Sequence, residues 1–79
     1  MNIGITGHTS GIGKALFNRF SQTHKVLGFS LTNGFDIANS NDRKKIIDQV
    51  EDSCDVFINN AYSIEARDAQ LLLLKELFE

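Results

Sequence analysis

Seventy-nine residues limit the chain to one domain, 1–79, with a small core, since a chain of this length buries only about 60% of its unfolded surface. Apolar residues make up 42% and charged residues 23%, ordinary for a globular protein, and the net charge of −2 argues against a general nucleic-acid surface. No apolar run approaches the ~20 residues of a membrane span, no signal-peptide pattern opens the chain, and the single cysteine, Cys54, rules out an internal disulfide, so a cytoplasmic protein is expected.

Residues 2–6 read as an apolar first strand. Residues 10–23 contain the first helix, with Leu16, Phe17 and Phe20 at helical spacing. Residues 25–30 are the second strand, Thr32-Asn33-Gly34 signals a turn, and Phe35-Asp36-Ile37 is a very short third strand. Residues 39–51 read as the second helix, capped by Ser40 or Asn41, with Ile46, Ile47 and Val50 on its buried face. Arg43-Lys44-Lys45, the only basic cluster, sits beside Asp42 and Asp48 and reads as a solvated helix face. Residues 55–59 form the fourth strand, with Cys54 packing at its start, and residues 64–78 form the third helix.

Strand and helix in alternation predict an α/β fold with a parallel four-stranded sheet, order 3-2-1-4, right-handed crossovers and about three helices. In such sheets a ligand lies outside the C-terminal ends of the strands, at the switch point between strands one and four. Gly7, Asp36 and Asn59 all fall at such ends.

The segment Thr6-Gly7-His8-Thr9-Ser10-Gly11-Ile12-Gly13 lies between the first strand and the first helix. A strand, a glycine-rich turn and a helix in that order make a phosphate-binding element, because free N–H groups at the helix start face the anion. A Walker A loop does not fit: its first glycine would fall at His8 and its hydroxyl residue at Ala15. The G-x-G-x-x-G fingerprint fails because Leu16 stands where its third glycine belongs. What remains is T-G-x-x-x-G-I-G, with His8 read as an exposed loop residue in preference to a phosphate contact.

That spacing resembles the cofactor loop of the short-chain dehydrogenase/reductase family. Asn59-Asn60-Ala61 resembles the family's N-N-A-G motif, with Tyr62 in place of the glycine. Asp36-Ile37 resembles its aspartate–aliphatic pair, and Gly28-Phe29-Ser30 the end of its second strand. The resemblance runs along nearly the whole chain and corresponds to the N-terminal, cofactor-binding half of the family fold, a truncated Rossmann-like domain.

The resemblance implies a dinucleotide ligand. The backbone around Gly7, Ser10, Gly11 and Ile12 would hold the pyrophosphate, and Gly13 would let the helix pack closely on the sheet. Thr6 and Ser10 offer hydroxyls, to the ligand or to the turn itself. Asp36 would accept a hydrogen bond from the adenine amine, with Ile37 beside the ring, and Asn59, Asn60 and Ala61 would line the adenosine and ribose, Asn60 alternatively tying strands together. Tyr62 would stack on the cofactor or cover the sheet edge. NAD-preferring sites place an acid about 20 residues beyond the loop, on the ribose 2′-hydroxyl. Residues 28–33 hold none, and Ser30, Thr32 and Asn33 could donate to a 2′-phosphate, which favours NADP(H) over NAD(H), although Leu31 stands where many NADP-binding relatives carry arginine.

Catalysis in that family uses a serine on the fifth strand and a Y-x-x-x-K motif, and neither is found here: Tyr62, the only tyrosine, is followed four positions later by Ala66. No carboxylate pair, His/Cys metal cluster or nucleophile–base pair replaces them. The reading is therefore a dinucleotide-binding protein with no catalytic or metal residues of its own. The alternative is an NAD(P)-dependent oxidoreductase whose site is assembled by oligomerisation or a partner chain. Leu71-Leu72-Leu73-Leu74, with Leu77 and Phe78, spreads apolar groups around the last helix, and the fourth strand leaves an edge. Both features predict a homo-oligomer, through that helix or that edge.

Overall fold

The apolar N-terminal run becomes β1 (Asn2–Thr6), followed by α1 (Gly11–Phe20), β2 (Lys25–Phe29), a 3-10 turn (Leu31–Asn33), α2 (Ser40–Ser53), β3 (Val56–Ile58) and α3 (Arg67–Leu77). The computed structural model describes residues 1–61 and 67–78, so Tyr62 and the expected helix start at Ile64 lie outside the described residues. The fold is α/β. Its three strands are parallel and ordered β2-β1-β3, with Gly4 between Leu27 and Phe57 and Ile5 between Gly28 and Ile58. As the middle strand, β1 is covered on both faces and reads as a continuous buried run, Ile3 to Thr6. Among the described residues, no helix is long and apolar enough to cross a membrane.

Alternation along the strands divides the side chains between two faces. Leu27, Phe29 and Phe57 join Ile46 and Val50 of α2 and Leu73 of α3 in the main core. Ile3, Ile5 and Gly28 point the other way, towards α1, which offers half-buried Leu16, Phe17 and Phe20. Cys54 packs in the main core beside Gly4, and burial together with the Asp55 carboxylate pushes its thiol up, so it stays protonated.

The expected third strand does not form. Phe35-Asp36-Ile37 is irregular chain because its backbone groups are committed locally: Phe35 N donates to Ser30 O (2.9 Å), Asp36 N to Asp42 Oδ2 (3.1 Å) and Ala38 N to Asp36 Oδ1 (2.9 Å). Such bonds compete with a strand ladder. Phe35 and Ile37 still reach the core, Phe35 meeting Phe29 edge-on at 5.1 Å.

Two further expectations on α2 are corrected. Its cap is Asn39, not Ser40 or Asn41: the extended Asn39 accepts hydrogen bonds from Asn41 N (2.9 Å) and Asp42 N (3.1 Å) through Oδ1. Arg43 is not part of a solvated face. It is buried, its Nε pairing with Glu76 Oε1 of α3 at 2.6 Å and its Nη1 donating to Ile37 O at 2.9 Å. Lys44 and Lys45 remain exposed.

Candidate functional site

Loops from all three strands meet at the C-terminal edge of the sheet. The β1–α1 loop brings Gly7, Thr9 and Ser10. The chain after β2 brings Ser30, Leu31 and Thr32, then residues 35–38. The chain after β3 brings Asn60 and Ala61. With Phe29 they line a cleft of about 710 Å³, a size common among small-molecule sites.

Glycine shapes the loop. Gly7 has φ +71° and Gly11 φ +56°, a region that side chains disfavour, and the resulting reversal delivers Ser10 to the N-cap of α1. A Cβ on Gly13 would collide with Gly7 O and Asn60 Nδ2, so glycine there lets the first turn of α1 close against the loop. The loop is then tied to the sheet: Gly7 N donates to Phe29 O (2.8 Å), and Asn60 Nδ2 to the carbonyls of Thr6 (3.2 Å) and Gly7 (3.3 Å). Thr6 is fully buried, and its Oγ1 accepts from Ala61 N (2.9 Å) and donates to Asn59 Oδ1 (3.4 Å).

The start of α1 differs from that of α2. Ser10 is extended, its hydroxyl makes no capping bond, and no acid stands in the first turn. Among the described residues no acceptor meets the N–H groups of Gly11, Ile12 or Gly13. In α2 the cap is filled by Asn39 and Asp42 stands in the first turn. The positive end of the α1 dipole is thus left uncompensated beside the cleft, a setting suited to an anion.

Of the residues expected from sequence, Gly7, Ser10, Ser30, Thr32, Asp36, Ile37, Asn60 and Ala61 line this cleft. Gly11 and Ile12 form the exposed first turn of α1. Thr6, Gly13 and Asn59 do not line it and act as framework. Asn59 turns to α3, its Nδ2 donating to Gln70 O (3.0 Å) while Gln70 Nε2 donates back to Asn59 O (2.9 Å). Asn33 and Ser30 are committed to each other: Asn33 Oδ1 accepts from Ser30 N (2.8 Å) and from the buried Ser30 hydroxyl (3.2 Å), and Asn33 Nδ2 donates to Gly28 O (2.8 Å).

Leu31, which stands at the position of the relatives' arginine, lines the cleft too, as do Thr9, Phe29, Phe35 and Ala38, which carried no expected role in the site. Thr9 carried a signal, a hydroxyl inside the glycine loop, and Thr32 Oγ1 approaches its Oγ1 at 3.5 Å. The Phe29–Phe35 wall had none, since it arises from the turn between them. Asp36 is the one carboxylate among the lining residues; Oδ1 holds Ala38 N.

His8 is not an exposed loop residue. Its ring occupies the space a side chain on Gly28 would need, and it lies 4.9 Å from the Phe17 ring. Its Nδ1 is buried without a hydrogen-bond partner, and burial holds the imidazole pKa below its ordinary value. His8 is therefore a neutral packing group under the loop.

The lining set offers peptide and hydroxyl donors, one carboxylate and apolar walls, and so can hold a phosphorylated ligand with an aromatic or apolar moiety. No protein-family model, curated protein or solved structure matches the chain.

Proposed function

We propose that the chain is a dinucleotide-binding domain, that its sheet is the cofactor half of a Rossmann-like fold, and that it takes NADP(H) in preference to NAD(H). One observation carries the reading: the uncapped N-terminus of α1, reached through the positive-φ turn at Gly7, borders a cleft at the C-terminal edge of a parallel sheet. The pyrophosphate would meet the N–H groups of residues 11–13 and the Ser10 hydroxyl. Adenine would lie against Ile37 with its amine towards Asp36, and the Thr32 hydroxyl would face the 2′-phosphate, the Ser30 hydroxyl being buried and held by Asn33. The reading includes a cytoplasmic setting, suited to the lone Cys54 thiol, and self-association through α3 or the open β3 edge. A second reading, an oxidoreductase site completed by another chain, draws support from the exposed leucines of α3.

The test is calorimetric titration with NADPH and NADH. Binding in the micromolar range or tighter, at least several-fold stronger for NADPH, is expected. Ser10→Asp separates binding from folding: aspartate is a favourable N-cap, so the melting temperature should hold or rise, while its charge should lower NADPH affinity tenfold or more. Unchanged affinity in that variant would remove the pyrophosphate from the start of α1. No heat with either ligand would end the dinucleotide reading.

A further inference from the structure

The face of α3 turned away from the core carries an ordered pattern. Ala69, Leu73 and Leu77 pack inward. On the outer side stand Leu71, 64% exposed, and, just past the helix end, Phe78, 85% exposed, with Leu72 at 41% and Leu74 at 45% on the two flanks. Exposed Asp68 and Lys75 frame the leucines. Positions 68, 71, 72 and 75 recur at i, i+3, i+4 and i+7, so they form one stripe along the helix. A water-exposed apolar stripe of this kind, with a charge at each end, has the form of a helix–helix seam.

The charges specify what fits it. The stripe is negative at its N-terminal end and positive at its C-terminal end. A second copy laid parallel would set Asp68 against Asp68 and Lys75 against Lys75. Laid antiparallel, about a two-fold axis between Leu71 and Leu72, each Asp68 meets the second copy's Lys75, and each Leu71 meets the second copy's Leu72. The helix dipoles also oppose favourably in that arrangement. The contact is isologous and closed, as a two-fold dimer requires.

We infer that this face is a homodimer seam, α3 against α3 of a second copy, antiparallel, with Leu71 and Leu72 at its centre and Asp68–Lys75 pairs at both ends. The inference deepens the self-association proposed above and stands on α3 alone, independent of whether a dinucleotide binds. The stripe from Asp68 to Lys75 is only about 10 Å long, which places the contact at the weak end of specific interfaces. Association should therefore develop over roughly micromolar to millimolar protein concentrations.

Sedimentation equilibrium over that range tests it. The unaltered chain should move from monomer to dimer. Leu71→Glu with Leu72→Glu should abolish the dimer while far-UV circular dichroism is retained, because both side chains are solvent-exposed. Asp68→Lys alone and Lys75→Asp alone should each lower the association constant roughly 3- to 30-fold, since each turns two attractions into repulsions. The double swap, Asp68→Lys with Lys75→Asp, should restore it. Any cost of the swaps to α3 through its dipole appears in the melting temperature of the monomer and is separated from association in that way. A monomer at every concentration, a dimer that survives the two leucine substitutions, or a double swap that fails to restore association would each overturn the seam. The charge-swap series decides the matter even where the leucine variant does not fold.

Discussion

His8 lies beneath the glycine loop, where its ring fills the hollow above Gly28 and touches Phe17. Burial there disfavours the imidazolium, so the folded-state pKa lies below the ordinary value of 6.5. The unfolded chain therefore takes up the proton first as pH falls. The contribution of His8 is fully present above pH 6.5 and is lost as pH drops from there through the lowered pKa. Urea midpoints should decline as pH falls below 6.5. His8→Phe keeps a ring in the hollow and should flatten that decline; an unchanged slope would place the titrating group elsewhere. At this scale the sequence was legible where a residue's role depends on backbone geometry. Gly7, Gly11 and Gly13 stood at spacings that a strand-to-helix turn demands. It was not legible for His8 and Arg43, polar residues whose burial depends on partners distant in sequence, Gly28 and Glu76 respectively.

Among the described residues, one ion pair joins the two helices on the main-core face. Arg43 of α2 meets Glu76 of α3 with side-chain exposures of 10% and 27%, and it also holds the Ile37 carbonyl in the cleft wall. Removing one partner strands the other: Glu76→Leu should cost about 2–3 kcal/mol, somewhat below the ~3–5 kcal/mol of fully buried pairs, because Glu76 keeps contact with water. Arg43→Leu with Glu76→Leu should cost clearly less than the sum of the single changes, as read from a double-mutant cycle in urea. Additive costs would show that the pair contributes nothing of its own. Among the elements, periodicity located all three helices and the three strands that form. It failed at Phe35-Asp36-Ile37, where two apolar residues flanking a polar one resemble strand alternation. Asp36 and Asp42 instead bind nearby N–H groups and bend the segment out of the sheet. The cap at Asn39 lies one residue before the expected Ser40, within the usual uncertainty of helix ends.

Across the whole molecule, an α/β parallel sheet with a central first strand followed from strand–helix alternation, and so did the edge at which loops gather. The cleft's depth and its aromatic wall did not, because they come from how the 31–38 segment folds over Phe29. The ties that close the cleft have a further consequence, in time. Thr6 meets Ala61, and Asn60 meets Gly7, across sequence separations of 55 and 53 residues. Contacts so distant in sequence are slow to reach, since much of the chain must be ordered before they form. The first strand, first helix and second strand can assemble among themselves, but one side of the cleft is missing until β3 arrives. A ligand held there would find nothing to grip during the early steps. NADPH, the ligand proposed for the cleft, should therefore leave the folding rate nearly unchanged when added to refolding protein and slow unfolding instead, in stopped-flow urea jumps. Acceleration of folding would mean that the cleft forms early. On this view the molecule completes its cleft last, and loses it first when it opens.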